Sequence, residues 1–215
     1  MRIMVGIPVH RSVDYATFIS FMKLFGHRGE HIFDFTCTSS SLIYDVREKM
    51  VEGFLKSSCD AILFIDSDMT FEPKDIEKLA SYNLPFVTAM AFKRTPPFQP
   101  CFYTKLMYEN NQPLLEVPID YSEGILEIEG AGMACVLIKR EVFKNLKKPY
   151  FFPKRGLGED LTFCLKLKKA GVKMYCDTTT SFGHLSNVEV TEKYFKEYYQ
   201  KCLNEGVDMN NLYGK

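Results

Sequence analysis

Ala61-Ile62-Leu63-Phe64-Ile65-Asp66-Ser67-Asp68-Met69 is the stretch on which the architecture turns. An unbroken apolar run drives straight into two carboxylates spaced i, i+2. Such a run, ended by polar residues, predicts a strand buried on both faces whose end reaches the surface. In an open α/β sheet, ligands gather where strands end. Two carboxylates placed there repel each other unless a cation lies between or beside them. A hard divalent ion that prefers oxygen ligands is the natural guest. Taken alone, the pair is equally well explained as an exposed acidic turn capping the next helix. The surrounding chain decides.

Working outward, residues 3–9 predict a first buried strand, and His10-Arg11-Ser12 a turn. Ser12 or Asp14 can cap a helix reaching Leu24, with Gly26 as its stop. Residues 32–37 alternate as a second strand does. Thr38-Ser39-Ser40-Ser41 carries capping chemistry ahead of a helix over about residues 42–56, with Val46, Met50 and Phe54 on one stripe. Downstream, Pro73 suits the first turn of a helix ending near Tyr82, and residues 85–91 predict a further strand. This strand–helix alternation is that of a parallel α/β sheet. Residues 92–121 are rich in Pro and aromatics, which suggests short antiparallel strands. Strand patterns over 125–128 and 133–138 flank Glu129-Gly130-Ala131-Gly132. Residues 159–170 read as a helix stopped at Gly171, 173–176 as a short strand, and 194–203 as a helix ending at Gly206.

With 215 residues, the chain fits a single domain over 1–215, and 46% hydrophobic residues support a sizeable core. Its 27 basic and 27 acidic residues balance, which argues against a nucleic-acid partner held by a broad basic face. The 7 cysteines are scattered singly, with no C-x-x-C pair. They read as buried free thiols of a reducing compartment, not as a zinc or disulfide framework. The apolar run before Pro8 is too short for a signal peptide. No run approaches the ~18 apolar residues that span a bilayer. The expectation is a cytoplasmic protein with no transmembrane segment.

Two further motifs carry chemistry. In Gly156-Leu157-Gly158-Glu159-Asp160-Leu161, two glycines give a bend and two adjacent carboxylates open a helix. Acidic residues in a first turn also offset the helix macrodipole and need no other purpose. In Phe182-Gly183-His184-Leu185, a histidine follows the last short strand. A lone histidine is usually structural, yet imidazole is a common metal ligand.

In their order, these features resemble the GT-A glycosyltransferases, close to the family-2-like enzymes. The resemblance rests on Ile3-Met4-Val5-Gly6-Ile7-Pro8, Tyr44-Asp45-Val46-Arg47, Asp66-Ser67-Asp68, Glu129-Gly130-Ala131-Gly132-Met133 followed by an apolar strand and Arg140-Glu141-Val142-Phe143, then Gly158-Glu159-Asp160-Leu161, and the late His184. It implies an α/β, GT-A-type (Rossmann-like) fold: a mainly parallel central sheet flanked by helices, with a small antiparallel part. Residues 1–91 would form the nucleotide-binding half, 92–190 the acceptor-binding half and 191–215 a C-terminal helix.

The resemblance also assigns roles. Asp66-Ser67-Asp68 would hold Mn²⁺ or Mg²⁺ against the diphosphate of a nucleotide-sugar donor, for which UDP is favoured. Asp68 would ligate the metal, Asp66 would face the ribose or a metal-bound water, and His184 would be the late metal ligand. Pro8, Val9, His10 and Arg11 would cradle base and ribose, and Arg47 would face the nucleotide. Asp160 resembles the general base of inverting members, with Glu159 the second candidate. The acceptor would be a hydroxyl of a glycan or protein. Apart from the resemblance, the basic, aromatic segment 147–155 is best explained as a solvated charged loop, and Lys154 or Arg155 would reach the diphosphate if that loop closes as a lid.

Three rivals fit parts of the chain. Asp66-Ser67-Asp68-Met69-Thr70 matches the D-x-D-x-T signature of haloacid-dehalogenase-type phosphohydrolases, with Asp66 as nucleophile. That signature usually follows the first strand, and it leaves His184 unemployed. Asp66, Asp68, Thr70 and Glu77 fall at EF-hand positions, but Phe71 stands where glycine is needed and Pro73 interrupts the loop. A non-catalytic metal- or nucleotide-binding module would carry the same ligands.

Overall fold

The structure, a computed structural model, describes residues 1–186 and 189–208. The end of the expected C-terminal segment, 209–215, lies outside the described residues. The chain opens with β1 (Arg2–Val9), α1 (Tyr15–Gly26), β2 (Ile32–Ser39), α2 (Ile43–Lys56), β3 (Ala61–Ile65), β4 (Met69–Thr70), α3 (Pro73–Ser81) and β5 (Phe86–Met90). Short strands follow: β6 (Phe102–Tyr103), β7 (Lys105–Glu109), β8 (Gln112–Glu116), β9 (Ile125–Ile128) and β10 (Gly130–Ala131). Then come β11 (Cys135–Lys139), a 3-10 turn (Arg140–Asn145), α4 (Glu159–Lys169), β12 (Met174–Ser181), β13 (Gly183–Leu185), β14 (Glu189–Val190) and α5 (Glu192–Asn204).

The central sheet has 7 strands in the order β2-β1-β3-β11-β5-β12-β9. β1 pairs in parallel with β2 and β3, and β5 with β12, while β11 and β9 run the other way. Strand periodicity divides the core. Ile62 and Phe64 face a cluster with Val46, Met50 and Phe54 of α2 and Phe163 and Leu167 of α4. Ala61, Leu63 and Ile65 face a second cluster with Leu24 of α1 and Ile76 and Leu79 of α3. Helices thus cover both faces, which is why β3 reads as a continuous apolar run and β5 is buried along its whole length. Gly6 lets α2 lie close on β1: a Cβ there would stand 3.2 Å from the Met50 sulfur.

The expected elements form, with instructive differences. Asp14 caps α1 through Ala16 N, as read. The serines before α2 do not cap it: Leu42 is its N-cap, and Ser40 Oγ bonds to Leu42 N. The short strand expected at 173–176 runs on to Ser181. Its polar end holds together because Asp177 is fully buried with partners. Thr179 N donates to it at 2.9 Å, Tyr82 Oη at 3.0 Å, and Lys78 Nζ lies 3.1 Å away. Burial pushes the Asp177 carboxyl up, and bonds from the Thr179 and Thr180 hydroxyls, Thr179 N and Lys78 outweigh it and hold it below the ordinary value. The aromatic face of α5 packs inward: Phe195 stacks on Phe92 at 5.0 Å. Cys59, Cys135, Cys164, Cys176 and Cys202 are buried free thiols, while Cys37 is exposed and Cys101 half-buried. No helix among the described residues is long and apolar enough to cross a membrane.

Arg140 closes the C-terminus of α2. Its guanidinium donates to the carbonyls of Phe54, Leu55, Ser57 and Cys59 at 2.7–3.1 Å and lies 4.5 Å from the Phe54 ring centroid. Orphan helix carbonyls are thereby satisfied by a cation at the negative end of the dipole. Arg140→Ala is expected to destabilise the fold by about 2–4 kcal/mol, with Arg140→Lys recovering part of it. Urea unfolding checks this, and an unchanged midpoint would remove the role.

Candidate active site

Parallel pairing gathers the sequence motifs at one edge. The register Val9↔Ser39 and Gly6↔Phe64 brings the ends of β1, β2 and β3 side by side. Pro8 and Val9 are buried there; His10 and Arg11 are exposed just beyond. Neither of those two side chains bonds to the aspartates among the described residues. Asp66 N donates to Ala134 O, and Asp14 N donates to Ser67 O, which fixes the turn from two directions.

A small sheet in the order β14-β13-β4 then carries the late histidine to the aspartates. His184 pairs with Met69, and Leu185 N donates to Asp68 O at 2.8 Å. His184 Nδ1 lies 2.6 Å from the Phe92 carbonyl. A carbonyl can only accept, so Nδ1 carries a proton, and in the neutral ring Nε2 is left with a free lone pair. That Nε2 faces Asp68 Oδ1 at 3.5 Å. An imidazole oriented by a backbone carbonyl is the usual arrangement behind a metal-ligating nitrogen.

Asp68 also meets a residue that sequence reasoning passed over. Arg94 Nη1 sits 2.7 Å from Asp68 Oδ2. Burial pushes Asp68 up, but His184, when its ring is charged, and Arg94 outweigh it and hold the carboxyl below its ordinary value. An isolated arginine in a Pro-rich segment carries no local signal; only the fold reveals it.

Asp66 faces a different partner. Arg47, on α2 and almost wholly buried, donates from Nη2 to Asp66 Oδ1 at 2.8 Å and from Nε to Glu159 Oε1 at 3.4 Å. Its Nη1 is buried and has no hydrogen-bond partner among the described residues. Burial pushes Asp66 up, and Arg47 offsets this only in part. Arg47 therefore ties the aspartate turn to the start of α4.

Asp160 stands beside Glu159 at that helix start. Its Oδ1 accepts from Leu161 N at 2.7 Å, and its Oδ2 lies beside Gly132, 3.6 Å from where a Cβ there would stand. Burial, with the Glu159 charge adding to it, pushes Asp160 up to about 6. Lys154 and Arg155 lie elsewhere. Lys154 Nζ sits 5.0 Å from the Tyr108 ring centroid, and Tyr108 Oη donates to the Arg155 carbonyl at 3.0 Å.

The geometry bears on the rivals. Asp66 Oδ1 is engaged by Arg47, so it is not a free nucleophile, and Thr70 bonds to Glu189. Glu77 bonds His31 at 2.7 Å on the far side of α3, away from Asp66 and Asp68. Among the described residues no three His, Cys, Asp or Glu side chains are grouped as a metal cage. Asp68 and His184 present two donors, one carboxylate oxygen and one imidazole nitrogen. Such a pair fits a divalent ion of intermediate softness that keeps waters and takes ligand oxygens.

No protein-family profile and no curated protein sequence matches the chain. Solved structures do. The crystal structure of A197 from STIV aligns with a TM-score of 0.67 at 19% identity, covering 90% of this chain and 92% of that one. The structure of GalNAc-T7 with UDP, GalNAc and Mn²⁺ aligns with a TM-score of 0.59 at 12% identity. That alignment covers 86% of this chain and 44% of the other, so the chain spans less than half of that relative. The inositol-1-phosphate CTP transferase from T. maritima is a looser likeness, with a TM-score of 0.47 at 11% identity. At these identities the likeness is one of fold: an α/β, GT-A-type sheet flanked by helices, with small antiparallel sheets beside it.

Proposed function

We propose that the protein is a metal-dependent glycosyltransferase. It moves a sugar from a nucleoside-diphosphate donor, with UDP as the nucleotide, to a hydroxyl of a glycan or protein acceptor, with inversion. The observation that carries this reading is the Asp68–His184 pair, 3.5 Å apart at the open edge of the parallel strands.

In this reading Asp68 and His184 hold Mn²⁺ or Mg²⁺, with waters and diphosphate oxygens filling the remaining positions. When bound, the cation would neutralise charge building on the departing diphosphate. Arg94 stands ready to take a diphosphate oxygen once Asp68 turns to the metal. Pro8, Val9, His10 and Arg11 form the base and ribose side, and Ser67 lies between the two carboxylates. Asp66 faces the ribose, held in place by Arg47. Asp160 accepts the proton of the attacking hydroxyl. With its value near 6, it is ionised at neutral pH yet more basic than an exposed aspartate. Glu159 raises that basicity and is itself held by Arg47. Residues 1–91 supply the donor wall, and the segment from Gly130 to Met133 the acceptor wall.

Calorimetry with a panel of nucleotides, with and without Mn²⁺, tests the reading. UDP is expected to bind only with the metal, and a simple phosphomonoester not at all. Equal binding of both, or hydrolysis of the phosphomonoester, would favour the phosphohydrolase.

A further inference from the structure

We propose that a basic, aromatic-floored cavity on the flank of α4 is an anion subsite, and that it selects acceptors bearing a phosphate or carboxylate group. The part about acceptors rests on the transferase reading above; the anion site itself does not.

The cavity has a volume of about 400 Å³ and is lined by Tyr108, Phe152, Thr162, Lys154, Lys166 and Lys169 among others. No acidic side chain lines it. Many surface lysines of this chain are paired with a carboxylate, as Lys148, Lys168 and Lys173 are. Lys154, Lys166 and Lys169 form no ion pair among the described residues. Three like charges around one concavity are unfavourable until an anion enters.

The rings hold two of these charges in place. Lys154 Nζ lies 5.0 Å from the Tyr108 centroid, and Lys166 Nζ 4.9 Å from that of Phe152. Cation–π contact orients an ammonium without neutralising it. Lys166 is further fixed by the Lys147 and Pro149 carbonyls. Burial pushes its ammonium down; the Glu48 carboxylate opposes this and the Lys154 charge adds to it. Thr162 is 1% exposed, and its hydroxyl has no hydrogen-bond partner among the described residues. A threonine hydroxyl left without a partner at a lysine-lined cavity is a donor in want of an acceptor.

Position links this cavity to the chemistry. Lys166 lies six residues beyond Asp160 on the same helix, a rise of ~9 Å. Six residues also turn the side chain about 240° round the axis, so an acceptor whose hydroxyl reaches Asp160 and whose anionic group lies two or more sugar units away would fill both places.

An amide NMR titration of the whole chain with inorganic phosphate, without metal, tests the site. Saturable shifts are expected at Lys154, Thr162, Lys166 and Lys169. They should be lost in the Lys154→Gln/Lys169→Gln double variant, whose changes fall on exposed side chains. No saturable shift, or shifts confined to residues 66–68, would overturn the anion site. The second arm compares two acceptors that differ only by a phosphate group. The wild type should prefer the phosphorylated one in kcat/KM at least tenfold, and the double variant should lose that preference. An unchanged preference would overturn the acceptor assignment. If the wild type shows no transfer even to water, the transferase reading fails, and the phosphate titration still decides the anion site.

Discussion

Asp160→Asn is expected to abolish transfer and, above pH 6, to stabilise the fold. The loss follows from the role of a general base, whose removal costs on the order of 10²–10⁴ in rate. The gain follows from the same burial that makes it a base. In the folded protein Asp160 is pushed up to about 6, against roughly 3.9 for an unfolded chain. The native state therefore favours the protonated form. What Asp160 contributes to stability is fully present below about pH 4 and is lost as pH rises through 6. Asparagine keeps the shape without the charge, so the variant should gain about 2–3 kcal/mol at pH 8 and nothing at pH 4. Thermal unfolding at the two pH values reads this directly. In the wild type, transfer should fall off below pH 6 as the base takes up its proton. Glu159→Gln serves as the comparison: removing its charge should move that acid limb to lower pH while transfer survives. Full activity in Asp160→Asn would end the assignment.

Asp68→Asn should remove metal-dependent nucleotide binding altogether. A carboxylate oxygen is lost, while the neighbouring Arg94 and His184 remain. Loss of a partner behind a metal ligand already costs 10–100-fold in affinity, so loss of the ligand itself should cost on the order of 100-fold or more. His184→Ala should behave alike, because its Nε2 is presented to Asp68 by the Phe92 carbonyl. Nucleotide titrations across a range of Mn²⁺ concentrations distinguish the outcomes. If either variant kept the wild-type metal dependence, the cation would have to sit elsewhere.

Much of this was legible in the sequence because it is local. The buried strand before Asp66, the stripe Val46–Met50–Phe54 and the proline opening α3 each follow from periodicity and backbone chemistry within one element. What escaped is long-range. Nothing near residues 135–139 signals that β11 enters the sheet reversed, between β3 and β5. Nothing near Asp177 says that its polar neighbours extend a strand, since that depends on Lys78 and Tyr82 from another helix. Arg47 stood out only by its place on the helix before the aspartates. Its link to Glu159 joins residues 112 positions apart. Arg94 had no pattern around it at all.

The reversed strand has a mechanical meaning. Cys135 pairs with Ile65, and Val136 pairs with both Phe64 and Thr88, so β11 is laced to strands on either side. A two-part enzyme can open like a clamshell only where its parts meet along a seam. Here the seam is closed by backbone ladders through the middle of the frame. In the transferase reading, gating of a donor would then fall to the loops hung on its rim, such as the one bearing Arg94, while the frame stays still.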